Sequence, residues 1–446
     1  MKPEDVRSER SPSPAPSETA PHPAEASLWE QVLARENLVE ALRRVERNAG
    51  APGIDGMSTK DLRLWLHSHW PQIRSQLDAG TYQPQPVRRV MIPKPSGGWR
   101  KLGVPAVVDR LICQAIAQVL TPIFDPQFHP SSFGYRPGRS QHDAVKQARQ
   151  FINDDAAWCA DLDLDSFFDR VQHDALMARV ARRVHDKQML KLIRAYLKAG
   201  VMDGGLVSAS EEGTPQGSPL SPLLSNVMLD DLDWELERRG HHFVRYADDV
   251  TIYVASERAG QRVMASISHF IERRLKLTVN RQKSAVDVAK KRPLLGFRFY
   301  GREREVKVRI DPNARKRAKD RLRRLTSRKW GVSMERRIEE INRFTVGWTN
   351  YFALADTPSV FEGLDEWLRR RLRQVRWKEW KRPRTRERQL TKLGIPRRDA
   401  REWAASTKGY WRISGSPVLS RALPNAYWAR QGLKGFAEPF RRLRAG

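Results

Sequence analysis

Two adjacent carboxylates, Asp248 and Asp249, are the residues whose types and spacing point most directly to chemistry. They lie between two apolar, β-branched and aromatic segments, 243–246 and 250–254, which are typical of strands joined by a tight turn. Two charges this close repel each other unless a cation lies beside them. Mg²⁺ binds through one or two carboxylates together with substrate phosphates. A bare Asp-Asp pair is usually a solvated turn, so the interpretation depends on further ligands elsewhere in the chain.

Three aspartates upstream, Asp161, Asp163 and Asp165, alternate with apolar residues. This alternation is typical of a strand and predicts that all three side chains lie on one of its faces. Like charges on one strand face destabilise the strand, and a bound metal would offset that cost. One carboxylate from this strand and two from the turn would hold two Mg²⁺ ions about 3.5–4 Å apart, the spacing used for in-line phosphoryl transfer.

Three motifs, taken in order, resemble a reverse transcriptase of the type encoded by group II introns. They are an Asp followed five residues later by Phe (Asp163 and Phe168), the segment GTPQGSPLSPLLSN at 213–226, and Tyr246-Ala247-Asp248-Asp249. The resemblance covers roughly residues 45–355. It implies an α+β right-hand polymerase, with fingers and palm on an antiparallel sheet, followed by an α-helical thumb or maturase domain.

The resemblance also implies a catalytic metal site for two Mg²⁺ ions. Its ligands would be the carboxylates of Asp163, Asp248 and Asp249 and the backbone carbonyl of Leu164. Asp161 and Asp165 compete with Asp163 for the upstream position, because all three share the predicted strand face.

Residues 86–105 predict a strand, a Gly-Gly turn and a second strand. A charged face on such a hairpin is usually solvated, but in the resembling family it forms the fingers, whose cations neutralise the incoming triphosphate. The resemblance implies nucleotide-binding roles for Lys94, Arg100, Arg110, Phe168 and Gln216. The Phe168 ring would lie where a ribose 2′-hydroxyl projects and would select deoxynucleotides, although a Phe is also a common core residue.

The resemblance assigns three further roles downstream. They are a general acid for the leaving pyrophosphate at Lys283, a primer grip at Leu295, Gly296 and Phe297, and RNA binding by the maturase segment at Arg343, Trp348 and Tyr351. Trp at helical spacing usually belongs to a core, so a helical bundle with an apolar interior and a basic exterior is the expected form of this region. The loop Ser132–Ser140 is expected to be structural, with an Arg that contacts the backbone.

Charge indicates a polyanionic partner. The 446 residues carry a net charge of +29, and residues 301–446 hold 39 Lys and Arg against 16 Asp and Glu. Such a surface binds phosphate backbones with a strong salt dependence. The two cysteines, Cys113 and Cys159, are too few for the paired Cys-x-x-Cys nuclease domain in which many relatives end, so primers are expected to come from elsewhere.

The predicted organisation has five parts. They are a disordered Pro/Ser-rich tail at 1–27, an N-terminal extension at 28–85, fingers and palm at 86–300, a helical thumb/maturase domain at 301–395 and a basic DNA-binding segment at 396–446. No apolar run is expected to reach the length of a membrane span. The expected location is the bacterial cytoplasm, at the nucleoid when the protein engages DNA.

The resemblance implies an RNA-directed DNA polymerase that assists splicing as a maturase and supports retrohoming by target-primed reverse transcription. Expected partners are intron RNA, an RNA template with a DNA primer, dNTPs and a DNA target, and a homodimer is left open. Two alternatives are a splicing cofactor without polymerase activity and a related reverse transcriptase recruited to defence or repair. The intact set of three aspartates argues against the first, and the genes beside this one would discriminate the second.

Overall fold

The computed structural model describes residues 27–93, 98–203, 206–208, 212–214, 217–302 and 304–445. Residues 1–26, which make up nearly all of the tail predicted to be disordered, lie outside this part, and so do Lys94 and Gln216. The described chain combines antiparallel strand pairs with a helical C-terminal region. The predicted α+β fold class is therefore confirmed.

The described chain begins with three helices, a hairpin and a long helix. These elements are α1 (Leu28–Leu33), α2 (Arg35–Asn48), α3 (Leu62–Asp78), β1 (Val87–Pro93), β2 (Trp99–Val104) and α4 (Val107–Phe124). Ala34, with a ψ of 140°, separates α1 from α2 and divides the predicted helical run in two. β1 and β2 pair antiparallel with Pro93 opposite Trp99, which confirms the predicted fingers hairpin.

The region of α4 corrects the expectation that no segment is long enough to span a membrane. By length and composition, Val107–Gln127 passes that test. However, 67% of its apolar window is buried inside the fold, which is the environment of a core helix.

The palm follows, built from short helices around a four-stranded sheet. Its elements are α5 (Gln141–Asn153), β3 (Trp158–Leu162), α6 (Phe167–Arg170), α7 (His173–Val180), α8 (Lys187–Lys198), β4 (Val201–Asp203), β5 (Leu206–Ser208), α9 (Ser221–Arg238), β6 (His242–Tyr246), β7 (Asp249–Val254), α10 (Glu257–Phe270), a π-helix (Ile271–Leu275) and β8 (Ala285–Val288). The palm sheet has the order β6-β7-β3-β8, and a second sheet, β2-β1-β4-β5, carries the fingers hairpin.

The palm sheet separates two hydrophobic cores. Ala160 of β3 and Ile252 of β7 lie in a core shared with the N-terminal helices and α9. Their chain neighbours Cys159 and Tyr253 lie in a second core shared with the C-terminal helices. Successive side chains of a strand point to opposite faces, so the apolar flanks on either side of the Asp pair are buried on both faces. This double burial holds the ends of β3, β6 and β7 in fixed positions.

The remaining elements form a two-stranded sheet and a helical region, here called the thumb. They are β9 (Phe297–Arg302), β10 (Glu305–Ile310), α11 (Pro312–Leu325), α12 (Met334–Phe352), α13 (Pro358–Glu379), α14 (Pro383–Lys392), α15 (Arg397–Ala404), α16 (Tyr410–Ser414), α17 (Pro417–Ala422), α18 (Asn425–Arg430) and α19 (Ala437–Ala445). The helical spacing of apolar residues predicts helices over 314–325, 338–351 and 360–380, and α11, α12 and α13 occupy these ranges.

The last helices pack back on the thumb. The buried carboxylate of Asp365 in α13 accepts hydrogen bonds from the amides of Phe436 (2.8 Å) and Ala437 (3.0 Å), where α19 begins. The rings of Phe361 and Phe440 stack with centroids 4.0 Å apart. The segment 396–446 therefore shares the hydrophobic core of the thumb, and its proposed DNA binding would occur on the surface of that one unit.

Candidate active site

The palm sheet brings the upstream aspartate opposite the Asp pair. β3 and β7 are antiparallel, with Leu162 paired to Val250 as the last rung. The next residues in this register are Asp163 and Asp249. On the other side of β7, Tyr246 pairs with Asp249, so Ala247 and Asp248 form a two-residue hairpin turn. The predicted hairpin is confirmed, and it places three carboxylates at one end of the sheet.

The turn requires an unusual backbone at Ala247. Its φ is +60°, in the left-handed region, and its side chain is buried. Two-residue hairpins favour turns with positive φ because their twist matches that of the strands. A residue with a Cβ adopts this conformation at a cost of about 1–2 kcal/mol, so neighbouring contacts must hold it.

The structure separates Asp163 from its two competitors. Asp161 forms an ion pair with Arg292 and accepts a hydrogen bond from the Thr251 hydroxyl at 3.2 Å. Asp165 forms an ion pair with Arg170 at 3.0 Å. The expected shared face is corrected for Asp165 alone, which lies beyond the end of β3 and pairs with Arg170. Asp161 and Asp163 both lie on the side of Asp249, because the negative charges of both raise its pKa.

Asp163 itself faces the site. Its amide donates to the Ser284 hydroxyl at 3.0 Å, and its carboxylate lies 3.6 Å from the Lys283 ammonium. Its backbone carbonyl accepts from the Asn280 amide at 2.8 Å. Leu164, whose carbonyl was expected to bind metal, is buried and bridges to Val279. The segment around Asn280 therefore fixes the upstream aspartate from behind.

Electrostatic coupling shows that the three carboxylates share one environment. Loss of hydration raises the pKa of Asp249 to about 7, helped by the negative charges of Asp248, Asp161 and Asp163, although Lys283 opposes the shift. The pKa of Asp248 is also raised, first by loss of hydration and then by Asp163. Such mutual repulsion favours a bound cation.

Of the cationic residues predicted to bind the nucleotide, Arg100 faces the site and Arg110 does not. The positive charge of Arg100, exposed on β2, partly opposes the rise in the pKa of Asp248 that loss of hydration causes, so this finger residue faces the turn. Arg110 is buried and donates to the Pro105 carbonyl at 3.0 Å and to the Ala51 carbonyl. The expected contact of Arg110 with the triphosphate is corrected, because its guanidinium binds the loop after α2, at Ala51.

Phe168 lies beside a cavity between palm and fingers. Its half-buried ring packs edge-on against Phe167, with centroids 5.2 Å apart. The cavity has a volume of about 190 Å³, and Lys101 and Gly103 of β2 face Phe168 and Thr214 across it. The Thr214 amide donates to the Phe168 backbone carbonyl at 2.6 Å, so the start of the segment 213–226 is anchored beside Phe168.

The predicted primer grip is a tight turn held by the thumb. Leu295 (φ +49°) and Gly296 (φ +80°) join Leu294 to Phe297, whose backbones exchange hydrogen bonds of 2.9 and 2.8 Å. The Tyr351 hydroxyl donates to the Leu295 carbonyl at 3.0 Å. Phe297 is fully buried beneath this turn, which corrects its expected contact with a primer.

The three predicted RNA-binding residues of α12 lie in different environments. Trp348 is partly buried and packs against the rings of Phe352 and Phe436 at centroid distances of 4.6 and 5.3 Å, so its ring mainly supports the thumb core. Arg343 is exposed and pairs with Glu340 at 2.8 Å. Tyr351 is 36% exposed but its hydroxyl is engaged by the grip turn, as described above.

Cations and aromatic rings meet instead on another face of the thumb. The Trp367 ring of α13 has Lys319, Arg323 and Arg371 within 5.8 Å of its centroid. Two further pairs extend this arrangement: Arg328 over Tyr410 at 4.4 Å and Arg370 over Trp411 at 4.0 Å. We call these residues of α11, α13, α16 and the loop after α11 the basic aromatic face.

A buried ion pair behind the turn was missed in the sequence. Arg245 of β6 and Asp233 of α9 are fully buried and lie 2.6 Å apart. The signal was a charged residue inside the apolar run Phe243–Tyr246, but nothing in the sequence pointed to its partner. The expected backbone-contacting arginine of the Ser132–Ser140 loop is Arg136, which donates to the carbonyls of His129 and Ser132.

Within the described part of the chain, no group of three or more His, Cys, Asp or Glu side chains is arranged so that it could hold a metal ion by itself. A site that takes the remaining ligands from substrate phosphates does not need one.

Comparison with known proteins adds two family matches in the predicted order. Residues 92–299 match the reverse transcriptase (RNA-dependent DNA polymerase) family, and residues 315–394 match the group II intron maturase-specific domain.

The sequence is also similar to individual proteins. It is 41% identical over 208 residues to Protein YkfC of Escherichia coli K12, covering 45% of this chain and 55% of that protein. It is 39% identical over 180 residues to the group II intron-encoded protein LtrA of Lactococcus lactis subsp. cremoris, covering 40% of this chain and 28% of LtrA. Among solved structures, the partial Cas6-RT-Cas1–Cas2 complex is 25% identical with a TM-score of 0.37, covering 56% of this chain and 43% of that one. The matched segments thus span about half of these relatives or less.

Proposed function

We propose that this chain, which belongs to the family of group II intron-encoded reverse transcriptases and maturases, is an RNA-directed DNA polymerase that also binds intron RNA and assists its splicing. The observation that carries the polymerase is the meeting of Asp163, Asp248 and Asp249 at one end of the palm sheet. Arg100 from the fingers and Lys283 from the palm supply the neighbouring positive charge.

The donor set fits two Mg²⁺ ions. Carboxylate oxygens are the ligands that Mg²⁺ prefers, and the negative charges of Asp163 and Asp248 raise the pKa of Asp249, a repulsion that a cation would relieve. Leu164 would add its carbonyl from the position next to Asp163. When bound, the metal ions would activate the primer 3′-hydroxyl and neutralise charge on the transferred phosphoryl group.

The residues around the carboxylates have separate tasks. Arg100 would hold the triphosphate from the fingers, since an Arg binds phosphate through two parallel hydrogen bonds. Lys283 would place a proton near the leaving pyrophosphate. Phe168, at the edge of the cavity, would leave no room for a 2′-hydroxyl and so favour deoxynucleotides.

The basic aromatic face supports the second part of the proposal. Arginines stacked on rings present their charge with little loss of freedom and suit RNA backbones and unstacked bases. RNA recognition would then reside in the thumb and synthesis in the palm. The proposal also includes retrohoming by target-primed reverse transcription. The DNA target would bind to the same basic surface, and the protein would act in the bacterial cytoplasm.

Primer extension with two aspartate variants tests the polymerase assignment. A DNA primer on an RNA template is extended with dNTPs and Mg²⁺ by wild type, Asp163→Ala and the matched control Asp165→Ala. We expect Asp163→Ala to lose at least about two orders of magnitude in rate, because a charge-stabilising group is removed from the reacting centre. The control loses its pair with Arg170 and a long hydrogen bond from the Ser166 hydroxyl, and it should stay within about threefold of wild type, because exposed pairs contribute little.

The reverse order, with Asp165 essential and Asp163 dispensable, would overturn the ligand assignment. A wild type that extends no primer in Mg²⁺ would overturn the polymerase itself. Extension that continues after chelation of all divalent cations would contradict the metal site.

A further inference from the structure

The guanidinium of Arg245 has an acceptor for each of its N–H groups. Nε donates to both oxygens of Asp233 at 2.7 and 3.0 Å, and Nη2 donates to Asp233 (2.6 Å) and to the Ser132 hydroxyl (2.7 Å). Nη1 donates to the Asn226 side-chain carbonyl at 2.9 Å and to the Ala247 backbone carbonyl at 3.0 Å. An arginine has five such donors, and here all are satisfied without water.

One of these acceptors belongs to the turn that carries Asp248. The Ala247 carbonyl is part of the peptide bond that joins Ala247 to Asp248, so a hydrogen bond to it fixes the orientation of that peptide plane. Ala247 has a φ of +60°, a conformation that residues with a side chain rarely adopt without support. The direction in which the Asp248 side chain leaves the turn depends on this plane.

A neighbouring loop closes on the same turn. The side-chain amide of Asn226 donates to the Gly134 carbonyl at 2.9 Å, and a Cβ at Gly134 would lie 2.3 Å from the Ala247 backbone nitrogen. The backbone of Arg245 also pairs with this loop, donating to Ser131 and accepting from Phe133, both at 2.9 Å. Two separate parts of the chain, α9 and the loop, are thus joined through Arg245 to one peptide of the turn.

We propose that Arg245, held by Asp233, is a positioning residue for DNA synthesis, which sets the Ala247–Asp248 peptide so that Asp248 reaches the metal site beside Asp163. The proposal rests on the proposed polymerase function. Groups that orient the ligands of a metal site change metal affinity or activity about 10–100-fold when removed. A buried ion pair of this kind gives a fixed arrangement more readily than it gives stability.

A second buried arginine provides the control. Arg337 of α12 is 2% exposed and donates to the carbonyls of Leu325 (2.6 Å) and Trp330 (2.8 Å) in the thumb. Like Arg245, it is buried and donates to backbone carbonyls, but the acceptors of its hydrogen bonds are Leu325, Ser327 and Trp330, all in the thumb. Its replacement by Lys therefore perturbs folding without perturbing Asp248.

The experiment compares Arg245→Lys with Arg337→Lys. Lys keeps a charge for the buried carboxylate but, as a single point donor, cannot reach Asp233, Asn226 and Ala247 at once. Three properties are measured: melting temperature, kcat and KM for single dNTP addition at saturating template and primer, and binding of Mn²⁺ to the primer-free protein by electron paramagnetic resonance.

We expect Arg245→Lys to lower kcat about 10–100-fold and to weaken Mn²⁺ binding about tenfold or more, with a KM for dNTP close to that of wild type. Arg337→Lys should lower the melting temperature with kcat and Mn²⁺ binding within about twofold of wild type. If Arg245→Lys does not fold, Asn226→Ala replaces it. This variant removes one of the two acceptors of Nη1 and the donor to the Gly134 carbonyl, and it should lower kcat about tenfold.

Equal kcat and equal Mn²⁺ binding in Arg245→Lys and Arg337→Lys would overturn the proposal, leaving Arg245 a structural residue. A wild-type protein that binds Mn²⁺ but extends no primer would instead overturn the polymerase function. Weak Mn²⁺ binding in Arg245→Lys would in that case still support the positioning role, so the two failures are distinguishable.

Discussion

In the palm, the guanidinium of Arg245 is fully buried and all of its donors are matched by Asp233, Asn226, Ser132 and a backbone carbonyl. In the thumb, Arg328 and Arg370 rest on the rings of Tyr410 and Trp411. The palm arginine fixes a backbone, because a buried charge is tolerated only with complete partners. The thumb arginines present their charge to solvent, where it can meet a phosphate.

The two regions also differ in what their acidic residues do. Palm aspartates are concentrated at one end of a sheet, where the negative charges of Asp163 and Asp248 raise the pKa of Asp249. In the thumb, Asp365 instead caps the start of α19 and Glu340 pairs with Arg343. Unrelieved negative charge thus marks the palm and excess positive charge marks the thumb. Variants that act on one region should leave the other function intact.

The largest effect on stability should come from Trp348→Ala. Its partly buried ring packs against the core at Phe352, Phe361 and Phe436, so truncation should lower the free energy of unfolding by about 2–3 kcal/mol. Chemical denaturation followed by Trp fluorescence measures this. The matched control is Trp411→Ala, whose 40% exposed ring should cost about 1 kcal/mol or less. A Trp348→Ala protein of wild-type stability with weakened RNA binding would contradict this prediction and would indicate that Trp348 contacts RNA.

A smaller effect is expected from the double variant Lys319→Ala/Arg328→Ala on the basic aromatic face. Each lost phosphate contact lowers the slope of log affinity against log salt by about 0.7–0.9, so the slope for intron RNA should fall by roughly 1.5. Filter binding at several salt concentrations measures it. Arg343→Ala, which removes a cation already paired with Glu340, should change the slope by less than half as much. The opposite order would transfer RNA binding from this face to α12.

Some of this organisation could be read from the sequence because it depends on local patterns. Alternating apolar residues and turn signals located the fingers hairpin and the Asp-Asp turn, and helical spacing located α11, α12 and α13. The resemblance to group II intron reverse transcriptases is confirmed by the two family matches. The choice among Asp161, Asp163 and Asp165 was resolved only by the structure. Asp161 pairs with Arg292, which is distant in the sequence, and Asp165 pairs with Arg170, which lies beyond the end of the strand.

Other assignments failed because residue type does not determine environment. Residue type does not distinguish Trp348 from Trp411; tertiary packing places the first against Phe352 and Phe436 and leaves the second 40% exposed. Arg110 has the composition of a phosphate ligand, but its donors are used by the carbonyls of Ala51 and Pro105. Two partners of Arg245, Asp233 and Asn226, lie on α9, 12 and 19 residues before it, and the third, Ser132, lies 113 residues before it. No local sequence pattern predicts these contacts.

The most direct test of the division between palm and thumb uses a single preparation of Asp248→Ala for two assays, DNA synthesis on an RNA template and equilibrium binding of intron RNA. Asp248 lies in the palm turn and is absent from the basic aromatic face. We predict that synthesis falls by at least about two orders of magnitude while the RNA dissociation constant stays within about twofold of wild type. Synthesis at the wild-type rate, or loss of RNA binding together with synthesis in a protein that melts normally, would contradict the account.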